Sequence, residues 1–167
     1  MRKATRILSL LLILLFSPPI QAPAQAQVHE EAPASPLVKV QLIAENDAIK
    51  PGTPFTVALR QEITTGWHTY WTNPGDSGLA TTITWTLPEG FTGGDMQFPT
   101  PHRQRTGDLV NYGYENAVMS IATITPPATL IAGQEVTLQG KTSWLVCKEI
   151  CIPESASFEL KLPVRDD

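Results

Sequence analysis

The sequence predicts an all-β sandwich. Three observations point there. Apolar residues alternate with period two in short runs. Fifteen prolines and eleven glycines punctuate the chain with turns. No segment carries a helical period. Strands of this kind bury one face each by packing sheet on sheet, with a closed barrel as the rival arrangement.

The chain opens "MRKATRILSLLLILLFSPPIQAPAQAQ". Arg2, Lys3 and Arg6 precede an apolar run from Ile7 to Phe16, and small residues follow from Ala22 to Ala26, the pattern of a secretory signal peptide cleaved after Ala26. The run is about half of the ~20 residues that a membrane-spanning helix needs, and Pro18 and Pro19 break it at once. After cleavage no membrane insertion is expected, and no cysteine follows the site to accept a lipid. Removing three of the 12 basic residues leaves 9 against 16 acidic ones, a net charge of about −7. That balance argues against nucleic acid and anionic lipid as partners. Export, to the periplasm on this reading, also places the chain where disulfides persist.

Residues 27–36, "QVHEEAPASP", read as a flexible lead-in, and a single β domain is expected over 37–167. Val38, Val40 and Leu42 alternate in the first strand. "KPGTP" at 50–54 turns the chain into Phe55, Val57 and Leu59. "GWHTYW", Gly66 to Trp71, is an aromatic strand with Trp67, Thr69 and Trp71 on one face and His68 and Tyr70 on the other. One face feeds the core, leaving the His68 imidazole and the Tyr70 phenol able to border a site. "TNPGDSG" and "LPEG" flank the strand of Ile83, Trp85 and Leu87. "NYGYENAV", Asn111 to Val118, reads as a loop, with Gly113 allowing a sharp turn between Tyr112 and Tyr114. Such a loop could shield a reactive sulfur, or be a tyrosine hairpin without chemistry. Val136 and Leu138 belong to a strand running into Cys147, and Phe158, Leu160 and Leu162 form the last one.

Both cysteines lie in "WLVCKEICIP". A strand continued from Cys147 to Cys151 would separate their Cα atoms by about 13 Å. A disulfide needs roughly 5.5–6 Å. If the pair closes, residues 148–150 must therefore curl, for example into one helical turn stopped by Pro153. Three readings stand. As a structural staple, so small a loop contributes only about 2 kcal/mol. As a redox pair, the cysteines open and close with little movement of the fold, and one accessible sulfur suffices for exchange. As a copper site, two thiolates would need a third ligand such as Met96, Met119, His68 or His102. The redox reading has the most support from these residues.

The signal peptide, the all-β domain, "GWHTYW", "YGYEN" and "WLVCKEICIPE" together resemble the N-terminal periplasmic domain of the DsbD and ScsB family of thiol:disulfide interchange proteins. The resemblance spans Leu37 to Val164. It implies an immunoglobulin-like sandwich that carries no cofactor and acts as a thiol-disulfide oxidoreductase of the protein-disulfide reductase type. Cys147 and Cys151 would be the redox pair, with Cys151 forming the mixed disulfide and Cys147 resolving it. Tyr112, Gly113 and Tyr114 would match a cap loop over the pair, and His68 and Tyr70 would stand beside it. The implied partners are thioredoxin-fold periplasmic proteins and a membrane electron donor. Copper tolerance through the same two thiolates is the alternative function. Since family members continue into further domains, the chain is expected to be either a module served by another protein or a piece of a longer product.

Overall fold

The computed structural model describes residues 36–166, all within one compact unit, Pro33–Asp167. The expected signal peptide, its cleavage site and the lead-in up to residue 35 lie outside the described residues.

Ten strands follow in order: β1 (Val38–Ala44), β2 (Phe55–Ile63), β3 (His68–Gly75), β4 (Thr82–Thr86), β5 (Thr92–Gly93), β6 (His102–Thr106), β7 (Leu109–Glu115), β8 (Ala117–Thr125), β9 (Glu135–Cys147) and β10 (Cys151–Pro163). One sheet has the order β1-β2-β8-β5. The other runs β10-β9-β3-β7-β6, and β4 also pairs with β9. All named strand pairs are antiparallel. This is an immunoglobulin-like β-sandwich, and the two sheets remain separate where a barrel would have joined them.

The alternation in the sequence is what sorts the faces. On β2, Phe55, Val57, Leu59, Gln61 and Ile63 are all buried. On β9, Val136, Leu138, Gly140, Thr142, Trp144 and Val146 are buried, while Gln139, Lys141 and Ser143 are exposed. Because successive side chains point to opposite faces, the even-numbered positions of β9 look into the sandwich and the odd-numbered ones look out. The core forms two clusters. Phe55, Val57, Ile124, Leu138 and Leu162 belong to one, and Val38, Ile63, Val118, Trp144 and Val146 to the other. Full burial of a side chain such as Leu138 contributes ~1.5–3 kcal/mol.

A carboxylate ties the start of the domain to the strand that follows the cysteines. Glu154 on β10 accepts hydrogen bonds from the backbone N–H of Leu37 at 2.8 Å, from that of Val38 at 3.2 Å and from Trp144 Nε1 at 3.1 Å. Removing an acceptor leaves its donors to bear their desolvation cost. Glu154→Ala is therefore expected to lower stability by about 1–3 kcal/mol, read as an earlier urea midpoint at unchanged slope.

The expected loop at Asn111–Val118 is corrected. Tyr112, Gly113 and Tyr114 lie within β7, between β3 and β6. The chain reverses later, at Asn116 with φ 63°, before entering β8. Gly113 serves close approach and not a turn. It stands opposite Tyr70, where a Cβ would overlap the carbonyl oxygen of Thr69. The register between β3 and β7 shifts between Tyr70 and Gly75, a bulge that bends β3 at its outer end.

Candidate redox site

β9 ends at Cys147 and β10 begins at Cys151, so the two cysteines face each other across the mouth of a hairpin and are joined as a disulfide. Their Cα atoms are 4.1 Å apart, near the ~4.5 Å of a narrow antiparallel pair. Residues 148–150 make the turn, with the Lys148 N–H donating to the Ile150 carbonyl at 3.0 Å. The curl expected from the cysteine spacing is present, but as a hairpin and not as a helical turn. The strands already run antiparallel, so closing the pair needs no helix.

Register builds the rest of the site. His68 on β3 is the partner of Glu115 on β7 and of Cys147 on β9, and Cys147 is the partner of Cys151. Glu115, His68, Cys147 and Cys151 thus form one row across four strands, and directly opposed residues share a face. This is the outer face of the sheet, as the odd numbering of Cys147 on β9 requires. Tyr70, two residues beyond His68, shares it. The Tyr70 hydroxyl lies 3.7 Å from Cys151 Sγ and 3.2 Å from His68 Nε2. The His68 and Tyr70 rings meet edge to face at a centroid distance of 5.1 Å.

The two sulfurs stand in different surroundings. Cys147 is 2% exposed, whereas Cys151 is open to solvent. His68, Thr69 and Tyr70 are all buried, so both faces of β3 are covered here. Desolvation lowers the His68 pKa, an effect that the nearby Glu115 carboxylate opposes. Burial raises that of Tyr70, an effect that a side-chain hydrogen bond with Ser77 opposes.

Tyr112 and Tyr114 do not lie with this group. Tyr114 is opposite Thr69 and therefore on the inner face. It is buried in the cluster around Trp144 and Val146, and its hydroxyl donates to the Pro99 carbonyl at 2.7 Å. Burial pushes this phenol up to about 12. Tyr112 is half-buried opposite Arg103 and alternates onto the same face as Tyr114. The cover over Tyr70 comes instead from the segment after β3. Gly78, at φ +94°, sits so close that a Cβ would overlap the Tyr70 ring. Asp76 and Ser77 fasten that segment to β7: Asp76 N–H donates to the Val110 carbonyl at 3.0 Å, and Val110 N–H donates to Asp76 Oδ2 at 2.8 Å. The Ser77 N–H and hydroxyl both donate to Asn111 Oδ1, at 3.0 and 3.1 Å. Asp76, Ser77, Gly78 and Glu115 are residues of this site that the sequence pattern does not single out. The turn-rich "NPGDSG" directly after the aromatic strand was the available signal.

One step down the outer face from the disulfide, Leu145 pairs with Pro153. They floor a groove of about 680 Å³ that Thr72, Pro74, Leu79 and Ala80 wall on one side. Leu79 and Ile150 are each 65% exposed near this end of the sheet. Of the ligands considered for copper, Met119 is half exposed on β8 of the other sheet and His102 is exposed on β6. Among the described residues no group of three or more His, Cys, Asp or Glu side chains is placed to hold a metal ion.

Comparison with known proteins points to one family. The family described as "Thiol:disulfide interchange protein DsbD, N-terminal" matches residues 38–163. No curated protein matches the sequence. Among solved structures, the N-terminal periplasmic domain of ScsB from Proteus mirabilis is 21% identical at a TM-score of 0.57, over 78% of this chain and 48% of that one. The chain therefore spans about half the length of that relative. The N-terminal domain of Neisseria meningitidis DsbD in its reduced form is 16% identical at a TM-score of 0.42, over 74% and 85%. The yeast GGA1 GAE domain is 13% identical at 0.41, over 77% and 94%.

Proposed function

The chain belongs to the family of DsbD N-terminal domains of thiol:disulfide interchange proteins, and from that premise we propose that it is a periplasmic module passing reducing equivalents between thioredoxin-fold proteins and a membrane electron donor. The observation that carries this reading is the asymmetry of the disulfide, with Cys151 exposed and Cys147 buried. Exchange proceeds by attack of a thiolate on a disulfide sulfur, so one accessible sulfur is the requirement.

In the reducing direction, the Cys151 thiolate attacks a sulfur of the partner's disulfide. The bond between the partner's cysteines breaks, one leaves as thiolate, and the other is held to Cys151. The Cys147 thiolate then attacks Cys151 Sγ, the mixed disulfide breaks, and the partner's second thiolate leaves. The module ends oxidised at Cys147–Cys151 and the partner has gained two electrons. Reaction in reverse with the electron donor restores the dithiol. Cys147 needs no access to the partner, because its target sulfur is its own cross-strand neighbour. The groove floored by Leu145 and Pro153 lies beside the exposed sulfur, where the residues flanking a partner's cysteine would pass during the mixed-disulfide stage.

The test is the reduction potential, measured by equilibration with glutathione or thioredoxin couples. A value above about −300 mV is expected, within reach of thioredoxin-type partners. A value well below it would mark a bridge too stable to cycle and return the pair to a structural role.

A further inference from the structure

The buried histidine of the site has no part in the exchange steps above, yet it stands in hydrogen-bond sequence with the exposed sulfur. His68 Nε2 is 3.2 Å from the Tyr70 hydroxyl, and that hydroxyl is 3.7 Å from Cys151 Sγ. Sulfur accepts and donates hydrogen bonds weakly, a phenol does both, and one ring nitrogen of a neutral imidazole accepts. The three groups are therefore a donor–acceptor chain that can be written in two directions. In one, the Cys151 S–H points to the Tyr70 oxygen and the Tyr70 O–H points to His68 Nε2. In the other, His68 Nε2–H points to the Tyr70 oxygen and the Tyr70 O–H points to a Cys151 thiolate.

We propose that His68 is the positioning residue that takes up the Cys151 proton through the Tyr70 hydroxyl, generating the thiolate that performs exchange. This rests on the reading of the pair as a redox centre. The step moves protons only. The S–H bond of Cys151 breaks as its proton joins the Tyr70 oxygen, the former Tyr70 proton joins His68 Nε2, and the products are a thiolate and an imidazolium with Tyr70 neutral as before. When Cys151 is regenerated as a thiol after reduction by the donor, the same protons return.

The surroundings favour this assignment over a core-filling role. His68 and Tyr70 are 8% and 1% exposed, so water does not compete for the hydrogen bond between them. Gly78 lies against the Tyr70 ring, and the Ser77 tethers hold it there, fixing the phenol toward the sulfur. The charged and titratable groups around His68 come from three strands and a turn. Glu115 of β7 is its direct partner and stabilises an imidazolium. Cys147 of β9 is its partner on the other side. On the turn, the Lys148 side chain passes near Gly66, two residues before His68. His102 of β6 faces Gly113, itself opposite Tyr70, and is exposed. Glu115 is the one anion in the His68 row, so the thiolate–imidazolium state has its counter-charge built into the sheet. Burial lowers the imidazole pKa and so works against the imidazolium, and the Glu115 carboxylate opposes that effect.

A coupled thiol and imidazole lose their protons in two macroscopic steps that belong to the pair, whereas a lone thiol loses one near 8.5. The test uses the chain with Cys147→Ser, so that Cys151 is the only thiol, and measures its alkylation by iodoacetamide from pH 5 to 10. With His68 and Tyr70 in place, the rate is expected to rise in two steps. At pH 6.5 it should exceed the rates of His68→Gln and Tyr70→Phe by about tenfold, a figure set by the ~1% thiolate of an unassisted thiol two units below its pKa. At pH 10 the three rates should agree within about twofold, because every thiol is then ionised. A His68→Gln profile that superimposes on the parent overturns the proposal. So does a His68→Gln rate reduced by the same factor at every pH, which reports altered access to the sulfur. A measurement without substitution at the relay covers variants that fail to fold. The 240 nm absorbance of the thiolate and the His68 ring proton shifts should show common inflections in the Cys147→Ser chain, and independent titrations overturn the proposal equally. Because iodoacetamide is not a protein, failure of this relay and failure to react with thioredoxin-fold partners are separate outcomes.

Discussion

Cys147→Ser is expected to accumulate a covalent adduct with a thioredoxin-fold partner, stable on a non-reducing gel and released by dithiothreitol, whereas Cys151→Ser yields none. The reasoning is geometric. Cys151 is exposed and can meet a sulfur on another protein, and Cys147, 2% exposed, reaches only its neighbour across the hairpin. Without Cys147 the mixed disulfide has no internal thiolate to break it. Without Cys151 the remaining thiol is buried and cannot begin. Either change should reduce multiple-turnover exchange by about a thousandfold or more, as expected when a reacting atom is removed. Because so short a loop contributes only about 2 kcal/mol, loss of the bridge should leave the fold intact, and thermal unfolding of both variants checks this. An adduct that forms on Cys147 in the Cys151→Ser chain would reverse the assignment of roles.

Gly113→Ala is expected to be the most damaging single-methyl change in the sheet. The added carbon would overlap the Thr69 carbonyl oxygen, with the Thr69 carbonyl carbon and the Tyr70 Cα also crowded. Backbone atoms of a central strand cannot swing aside as a side-chain end can, so β7 must separate from β3. Overpacking of this kind costs about 3 kcal/mol, measured as a shift of the urea midpoint. Gly107→Ala is the matched control. Gly107 is at φ +61° with nothing within 4 Å of a Cβ, so that change meets only the left-handed conformation and costs about 1–2 kcal/mol. A Gly113→Ala chain no less stable than the Gly107→Ala one would refute the close-approach account. The effect should also reach the redox site, since β7 holds Glu115 against His68 and Asn111 against Ser77.

Sequence and structure agree where a local rule governs. The alternation of Val38 and Leu42, of Phe55, Val57 and Leu59, and of Val136 and Leu138 marks strands because a pleated backbone sends successive side chains to opposite faces. The arrangement of "WLVCKEICIP" is also partly local, since two cysteines so few residues apart must share one bend. They disagree where a residue's role depends on a strand distant in sequence. Gly113 suggested a turn because glycine is common there, yet it is extended, and its reason is the backbone of Thr69 on another strand. "NYGYENAV" suggested a cover for the sulfurs, yet strand pairing sends Tyr114 to the core and Tyr112 to the same side.

By itself, the sequence determined the all-β class, the principal strands and the cysteine pair at a bend, since these follow from residue type and spacing over a few positions. Only the tertiary structure decided that Cys151 is the open sulfur, that His68 and Tyr70 stand in line behind it, and that Gly78 lies over Tyr70. The physical reason is register. Which residue lies opposite which, and therefore which face it shares, is fixed by hydrogen bonding between strands far apart in the chain.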